Sequence, residues 1–169
     1  VGLSIRSLLD LYLTTQSYPA GSEIIIVPPV TIPGMVDVME YHGLKLVPID
    51  LLQVANAAGN TSNDDGAKQH QTKSKNNLYK FASWGIDTTA IKASITPRTV
   101  AIFIIHPFGT IIANSKTMKE VRCIANEYDV EVWEDCAQCY TGHSSKKTEV
   151  EEKTLQQLGY AGSKYANIS

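Results

Sequence analysis

Residues 131–140 read EVWEDCAQCY. Val130 and Val132 flank Glu131, Trp133 follows, and then come Glu134, Asp135, Cys136, Ala137, Gln138 and Cys139. The apolar start is that of a buried strand ending on two adjacent carboxylates. A carboxylate at the end of a buried strand is costly unless it is paired. Asp135 therefore has two kinds of reading. It caps a helix or bridges to a neighbouring strand end, or it grips a cation, a metal or a protonated heterocycle.

Three other segments have the same character. Glu23–Val27 is a β-branched run halted by Pro28 and Pro29, 44–49 is a second strand closed by Asp50, and 99–105 (TVAIFII) runs into His106-Pro107-Phe108-Gly109. Unbroken apolar runs of this length suit parallel strands covered on both faces. Helical patterns lie between them. Residues 3–13 carry a broad apolar face, Thr31 is placed to cap a helix over 33–42 with Pro33 early, and Asp87 or Thr88 caps a short helix. Over 115–128, Met118, Val121, Ile124, Ala125 and Tyr128 share one face. The alternation predicts an α/β fold, a mainly parallel sheet with helices on both faces. Ligands of such sheets bind beyond the carboxyl ends of the strands. Pro28–Thr31, Asp50–Leu52, His106–Gly109 and Glu134–Gln138 are thus expected on one rim. Residues 53–83 are polar and Asn-, Gly- and Lys-rich, and read as a disordered or loop insertion; 143–158 read as a surface excursion.

With 169 residues, 43% hydrophobic and 19% charged, the chain is a globular domain with its own core, residues 1–169 forming one unit. A net charge of -2 gives no reason to expect nucleic acid or an acidic membrane as partner, and no apolar run is long enough to span a bilayer. Three cysteines fit free thiols in a reducing, cytoplasmic setting. The first residue is not Met, so the start is read as internal to a longer protein.

Asp135-Cys136-Ala137-Gln138 after an apolar strand resembles the E-D-x-A-Q/H element of fold-type I enzymes dependent on pyridoxal 5'-phosphate (PLP), in particular the DegT/DnrJ/EryC1/StrS aminotransferases. EIIIVPPVTIPGMVDVMEYHGLKLVPIDL is similar to that family's strand, P-S-x-T segment, helix and second strand, and ITPRTVAIFIIHPFGT to its I-T-x-x-T-x-A-I-x-x-x-H-x-x-G. The resemblance implies the large domain of a fold-type I PLP-dependent transferase. It implies an aminotransferase of the sugar-nucleotide type, a nucleotide-linked keto sugar and an amino-acid donor as substrates, and a homodimer. It gives Asp135 the catalytic role of holding the cofactor's ring nitrogen protonated. Gln138 falls at the position beside the phenolic oxygen, Thr31 at the Thr after the first strand, and Ile32 where an aromatic residue usually stacks on the ring. Gly2, Leu3 and Ser4 fall at the phosphate-binding turn, with Leu3 in place of a hydroxyl residue, and His106 lines the site.

The family joins PLP to a lysine beyond an S-F-x-x-x-K-like element. Tyr165–Ser169 resembles the strand before that element, and Lys164 does not match the lysine's position. The chain is accordingly read as a truncated large domain or degenerate copy, inactive alone. Two other classes stand beside this reading: a non-catalytic α/β domain, and a thiol redox or metal-binding domain using Cys136 and Cys139. The C-x-x-C spacing favours the latter. Against it, Glu134 and Asp135 should raise the adjacent thiol, and zinc wants four ligands where only His143 is at hand. No metal site is expected.

Overall fold

The computed structural model describes residues 4–53, 84–139 and 166–167. Four strands, β1 (Glu23–Val27), β2 (Lys45–Pro48), β5 (Thr99–Ile105) and β6 (Glu131–Asp135), form one sheet in the order β2-β1-β5-β6. Every pairing in it is parallel. Strands β3 (Leu51–Gln53) and β4 (Trp84–Ile86) make a separate antiparallel pair. The helices are α1 (Ile5–Thr15), α2 (Pro33–Tyr41), α3 (Thr88–Ser94) and α4 (Ser115–Tyr128).

Because side chains alternate across a strand, the sheet has two apolar faces. Ile24, Ile26, Ala101, Phe103, Ile105 and Trp133 pack on Leu9 and Leu13 of α1 and Met35 and Met39 of α2. Ile25, Val27, Ile102, Ile104 and Val132 pack on Ile91 of α3 and Met118, Val121 and Ala125 of α4. This is the expected layering. On α4 the buried stripe is narrower than predicted. Tyr128 is exposed, and the Lys92 ammonium lies 5.8 Å from its ring centre.

Helix starts show which local signals acted. Asp87 accepts from the Ala90 N–H and Asn114 from the Thr117 N–H, so both cap as short polar side chains do. Ser4 caps α1 through the Ser7 N–H at 3.2 Å. Thr31 does not cap α2; the cap position is Ile32, without a side-chain hydrogen bond, and Pro33 opens the helix.

At the amino end of the sheet Glu23 is buried and anchors β1 to the start of β5. The Thr96 hydroxyl donates to Glu23 Oε2 at 2.5 Å and Arg98 Nε to Oε1 at 2.9 Å, with Arg98 Nη2 closing an ion pair. The Thr96 hydrogen bond, then Arg98, holds the Glu23 carboxyl below its ordinary value of 4.5. A depressed carboxyl contributes stability above its ordinary pKa and loses it as pH falls through the folded value. Glu23→Gln should therefore lower the thermal midpoint at neutral pH. The gap to the wild type should close as the buffer is taken below pH 4.5. A gap that stays constant from pH 7 to pH 3 would remove the ion pair from the account.

Gln53, the first residue of the stretch 53–83 read as a disordered or loop insertion, is instead the last residue of β3. Residues 54–83 and the excursion at 143–158 lie outside the described residues. Gln53 and Trp84 are cross-strand partners, so the two ends of the polar stretch are adjacent. Replacing 54–83 by a short Asn- and Gly-containing turn should keep the hairpin closed and leave the thermal midpoint within a few degrees of the parent, as read by circular dichroism. A collapse of the transition would show that those residues belong to the core.

Candidate active site

Strand β1 is followed in sequence by β2 on one side of it and pairs on the other with β5, so the order reverses between β1 and β5. A crevice forms at the carboxyl ends of strands at such a switch point. The cavity there is about 120 Å³, lined by Ile5, Val30, Thr31, Ile32, Ile105, His106, Pro107, Phe108, Asp135, Ala137 and Gln138. Three of the four predicted rim segments meet in it. Asp50–Leu52 does not, because β2 is the far edge strand and leads into the hairpin.

Parallel register sets the two acids at the end of β6. Ile104 pairs with Glu134 and Ile105 with Asp135, and the His106 N–H donates to the Asp135 carbonyl at 3.0 Å. Glu134 and Asp135, being neighbours on a strand, face opposite sides of the sheet. Glu134 shares the parity of Val132 and turns to the α4 side. Asp135 shares that of Trp133 and turns to the α1–α2 side, where the cavity lies. Asp135 Oδ1 accepts from the Ala137 N–H at 2.9 Å, a bond that pins the carboxylate and bends the chain into the 136–139 turn.

Glu134 meets His106. Both side chains are fully buried, with Nε2 at 2.8 Å from Glu134 Oε1. The other ring nitrogen, Nδ1, accepts the Ile112 N–H at 3.2 Å. A nitrogen that accepts carries no proton, so the ring is the Nε2–H tautomer donating to Glu134. Cys136 completes a cluster in which ligand atoms of His106, Glu134 and Cys136 lie within 4.8 Å. The polarity of the ring argues against a metal there. An imidazole that binds a metal through one nitrogen donates a proton from the other, and here the other nitrogen faces an N–H. His143 lies outside the described residues.

Gln138 Oε1 accepts from the Phe108 N–H at 2.7 Å, tying the 136–139 turn to the loop after β5. Phe108 is exposed and left-handed (φ 56°), as is Gly109 (φ 75°). A left-handed non-glycine residue is strained, and such residues cluster at functional sites.

Of the residues singled out from sequence, Thr31, Ile32, His106, Asp135 and Gln138 line the cavity. Ser4 is described at the α1 cap, next to the lining residue Ile5, and its hydroxyl is taken up by capping. Gly2, Leu3 and Lys164 lie outside the described residues. Glu134 and Phe108 were placed on the rim but given no role. Alternation along Val130, Val132 and Glu134 would have found the first; nothing in the sequence marks the backbone of the second.

A pyridine-sized ring fits this cavity. Its volume is on the scale of the roughly 150 Å³ apolar cavities that accept a benzene-sized guest. It offers a carboxylate on one wall and the aliphatic Ile32 and Val30 on another.

The fold is similar to that of solved aminotransferases. Alanine aminotransferase from Pyrococcus furiosus superposes with a TM-score of 0.56 at 22% identity, over 90% of this chain and 31% of that one. 3-Amino-5-hydroxybenzoic acid synthase gives 0.53 at 21%, over 79% and 26%. Residues 79–162 match the DegT/DnrJ/EryC1/StrS aminotransferase family. The dTDP-3-amino-3,6-dideoxy-alpha-D-galactopyranose transaminase of Aneurinibacillus thermoaerophilus is 38% identical over 58 residues, 34% of this chain and 15% of that protein. Protein MosB of Rhizobium meliloti is 41% identical over 58 residues, 34% and 11%. The match thus spans about a seventh or less of these curated relatives.

The His106–Glu134 pair is testable without any ligand. Removing the ring in His106→Ala takes away the acceptor of the Ile112 N–H and the donor to Glu134, inside the core. Buried hydrogen-bond partners lost in this way cost about 1–3 kcal/mol. Urea unfolding of the variant should show a loss of that size, and an unchanged midpoint would show that the pair is not holding the strand ends together.

Proposed function

We propose that the protein containing this chain is a PLP-dependent aminotransferase acting on a nucleotide-linked keto sugar with an amino-acid donor, and that the cavity holds the cofactor ring. The observation that carries the reading is the placement of Asp135: a buried carboxylate on the cavity side of β6, fixed by the Ala137 N–H, at the switch point of the sheet.

Bound PLP serves as an electron sink while its ring nitrogen is protonated. Asp135 keeps that proton in place by its charge, and the Ala137 N–H stops the carboxylate from turning away. Thr31 and Gln138 offer polar groups at the edge of the ring, and Gln138 is oriented by the Phe108 N–H. Ile32 would give the ring an aliphatic wall. His106 borders the site and serves it by position, since both its nitrogens are engaged by Glu134 and Ile112. Gly2, Leu3 and Ser4 are proposed to meet the phosphate; Ser4 caps the amino end of α1, where a helix N-terminus favours an anion.

The sugar-nucleotide substrate class rests on the family and on the transaminase of Aneurinibacillus thermoaerophilus, whose name specifies a dTDP-linked sugar. A homodimer and a cytoplasmic location are part of the same proposal. Among the described residues no helix is long and apolar enough to cross a membrane.

The test is equilibrium binding of PLP to the parent protein and to its Asp135→Asn variant, followed by amino transfer from glutamate to a nucleotide-linked keto sugar. A hydrogen bond to a charged group is worth about 1.5–3 kcal/mol, so binding should weaken by about tenfold to a hundredfold. Turnover should fall at least as far. Equal PLP affinity in both proteins would take the cofactor out of this cavity.

A further inference from the structure

Residues 136–139 form a closed turn whose two ends are both thiols. The Cys139 N–H donates to the Cys136 carbonyl at 3.1 Å, the i to i+3 bond of a β-turn. Such a turn holds its end Cα atoms within about 7 Å, overlapping the range of about 4.4–6.8 Å that a disulfide spans. Both side chains turn inward, at 8% and 3% exposure, and Cys139 Sγ lies 3.5 Å from the Cys136 carbonyl oxygen. Both cysteines are free thiols. The hydrogen bond to Cys139 raises the Cys136 thiol, helped by burial and by Glu134 and Asp135. The same contact lowers Cys139, against burial and those carboxylates. The expectation that the acids raise the adjacent thiol holds for Cys136; they act in the same direction on Cys139, where the contact with Cys136 outweighs them. One thiol is the better nucleophile and its neighbour is in place to resolve.

We propose that Cys136 and Cys139 are a dithiol–disulfide site, oxidised by low-molecular-weight disulfides of the glutathione type, on the turn that brings Ala137 and Gln138 into the cavity. The Cys139 thiolate attacks one sulfur of the oxidant. The oxidant's S–S bond breaks, and one thiolate leaves and takes up a proton. Cys136 gives its proton to solvent and attacks Cys139 Sγ; the Cys136–Cys139 bond forms and the second thiol leaves. Two electrons and two protons pass from the protein to the oxidant, which is reduced to two thiols. Since both sulfurs are buried, attack waits on opening of the turn, so the equilibrium rather than the rate reads out the site. The proposal does not depend on PLP.

The test equilibrates the protein over a series of oxidised-to-reduced glutathione ratios, quenches with acid, alkylates in denaturant and maps the peptides. Two of the chain's three cysteines should become resistant to alkylation together, in one peptide spanning 136–139 that is two hydrogens lighter. Cys123→Ser should leave that transition where it is. Cys139→Ala should abolish it, with Cys136 alkylated or carrying glutathione. Three alkylatable cysteines at every ratio would overturn the proposal, and so would a disulfide through Cys123. Because the wild type and Cys123→Ser alone decide between these outcomes, poor folding of Cys139→Ala would not shelter it.

Discussion

The rest of the site depends on the hydrogen bond between His106 and Glu134, where β5 and β6 leave the sheet. Parallel strands end side by side, and their last backbone groups have no further ladder to join. Here the His106 N–H continues the ladder to Asp135 while its ring reaches Glu134. The Ile112 N–H fixes the ring from the other side. One side chain therefore ties the end of β6 to the loop after β5. A buried acid and a backbone donor are satisfied together, as a low-dielectric interior demands. The two adjacent carboxylates of EVWEDCAQCY have separate tasks for this reason. Alternation sends Glu134 inward to this clamp and leaves Asp135 facing the cavity.

The small residues after Asp135 follow from the same geometry. The Ala137 N–H must fold back to Oδ1, and Gln138 must then reach the Phe108 N–H. Bulk at 136 or 137 would crowd either the His106–Glu134 pair or the cavity wall. The turn is thus held at three points, by Asp135, by Phe108 and by its own Cys139 to Cys136 bond. That rigidity makes its two thiols neighbours.

What could be read from sequence follows the strength of the physical signal. The run 99–105 was predicted at its observed bounds, because a threonine and six apolar residues, mostly β-branched, fit a strand covered on both faces. The run Glu23–Val27 likewise coincides with β1, whereas the segment 44–49 is one residue longer at each end than β2, where a single residue gains little from either state. The β3–β4 hairpin was missed: three-residue strands carry too little pattern to stand out beside a polar stretch. Thr31 has the right chemistry for a cap, yet Pro33 already fixes the helix start and Ile32 takes the cap position. Asp135 was legible as a carboxylate in need of a partner. Its orientation required the parity of the whole strand, and the left-handed Phe108 required coordinates.

Strand β6 is the last of the four in the sheet, yet its residues 132–135 are buried. An edge strand exposes a row of unpaired backbone groups, a poor setting for two acids that must be held to fractions of an ångström. Asn167 changes that. Its N–H donates to the Val132 carbonyl at 2.6 Å, and its Oδ1 accepts the Val132 N–H at 2.8 Å and an Arg122 Nη2 hydrogen bond at 2.8 Å. A single residue thereby satisfies both outward groups of Val132, much as a paired strand would, and Ala166 packs on the core beside it. The orientation of Asp135 is consequently set from both flanks of β6: by β5 through register and His106, and by Asn167 three residues earlier on the strand. The carboxylate's aim into the cavity is a property of the sheet as a whole rather than of the E-D pair by itself.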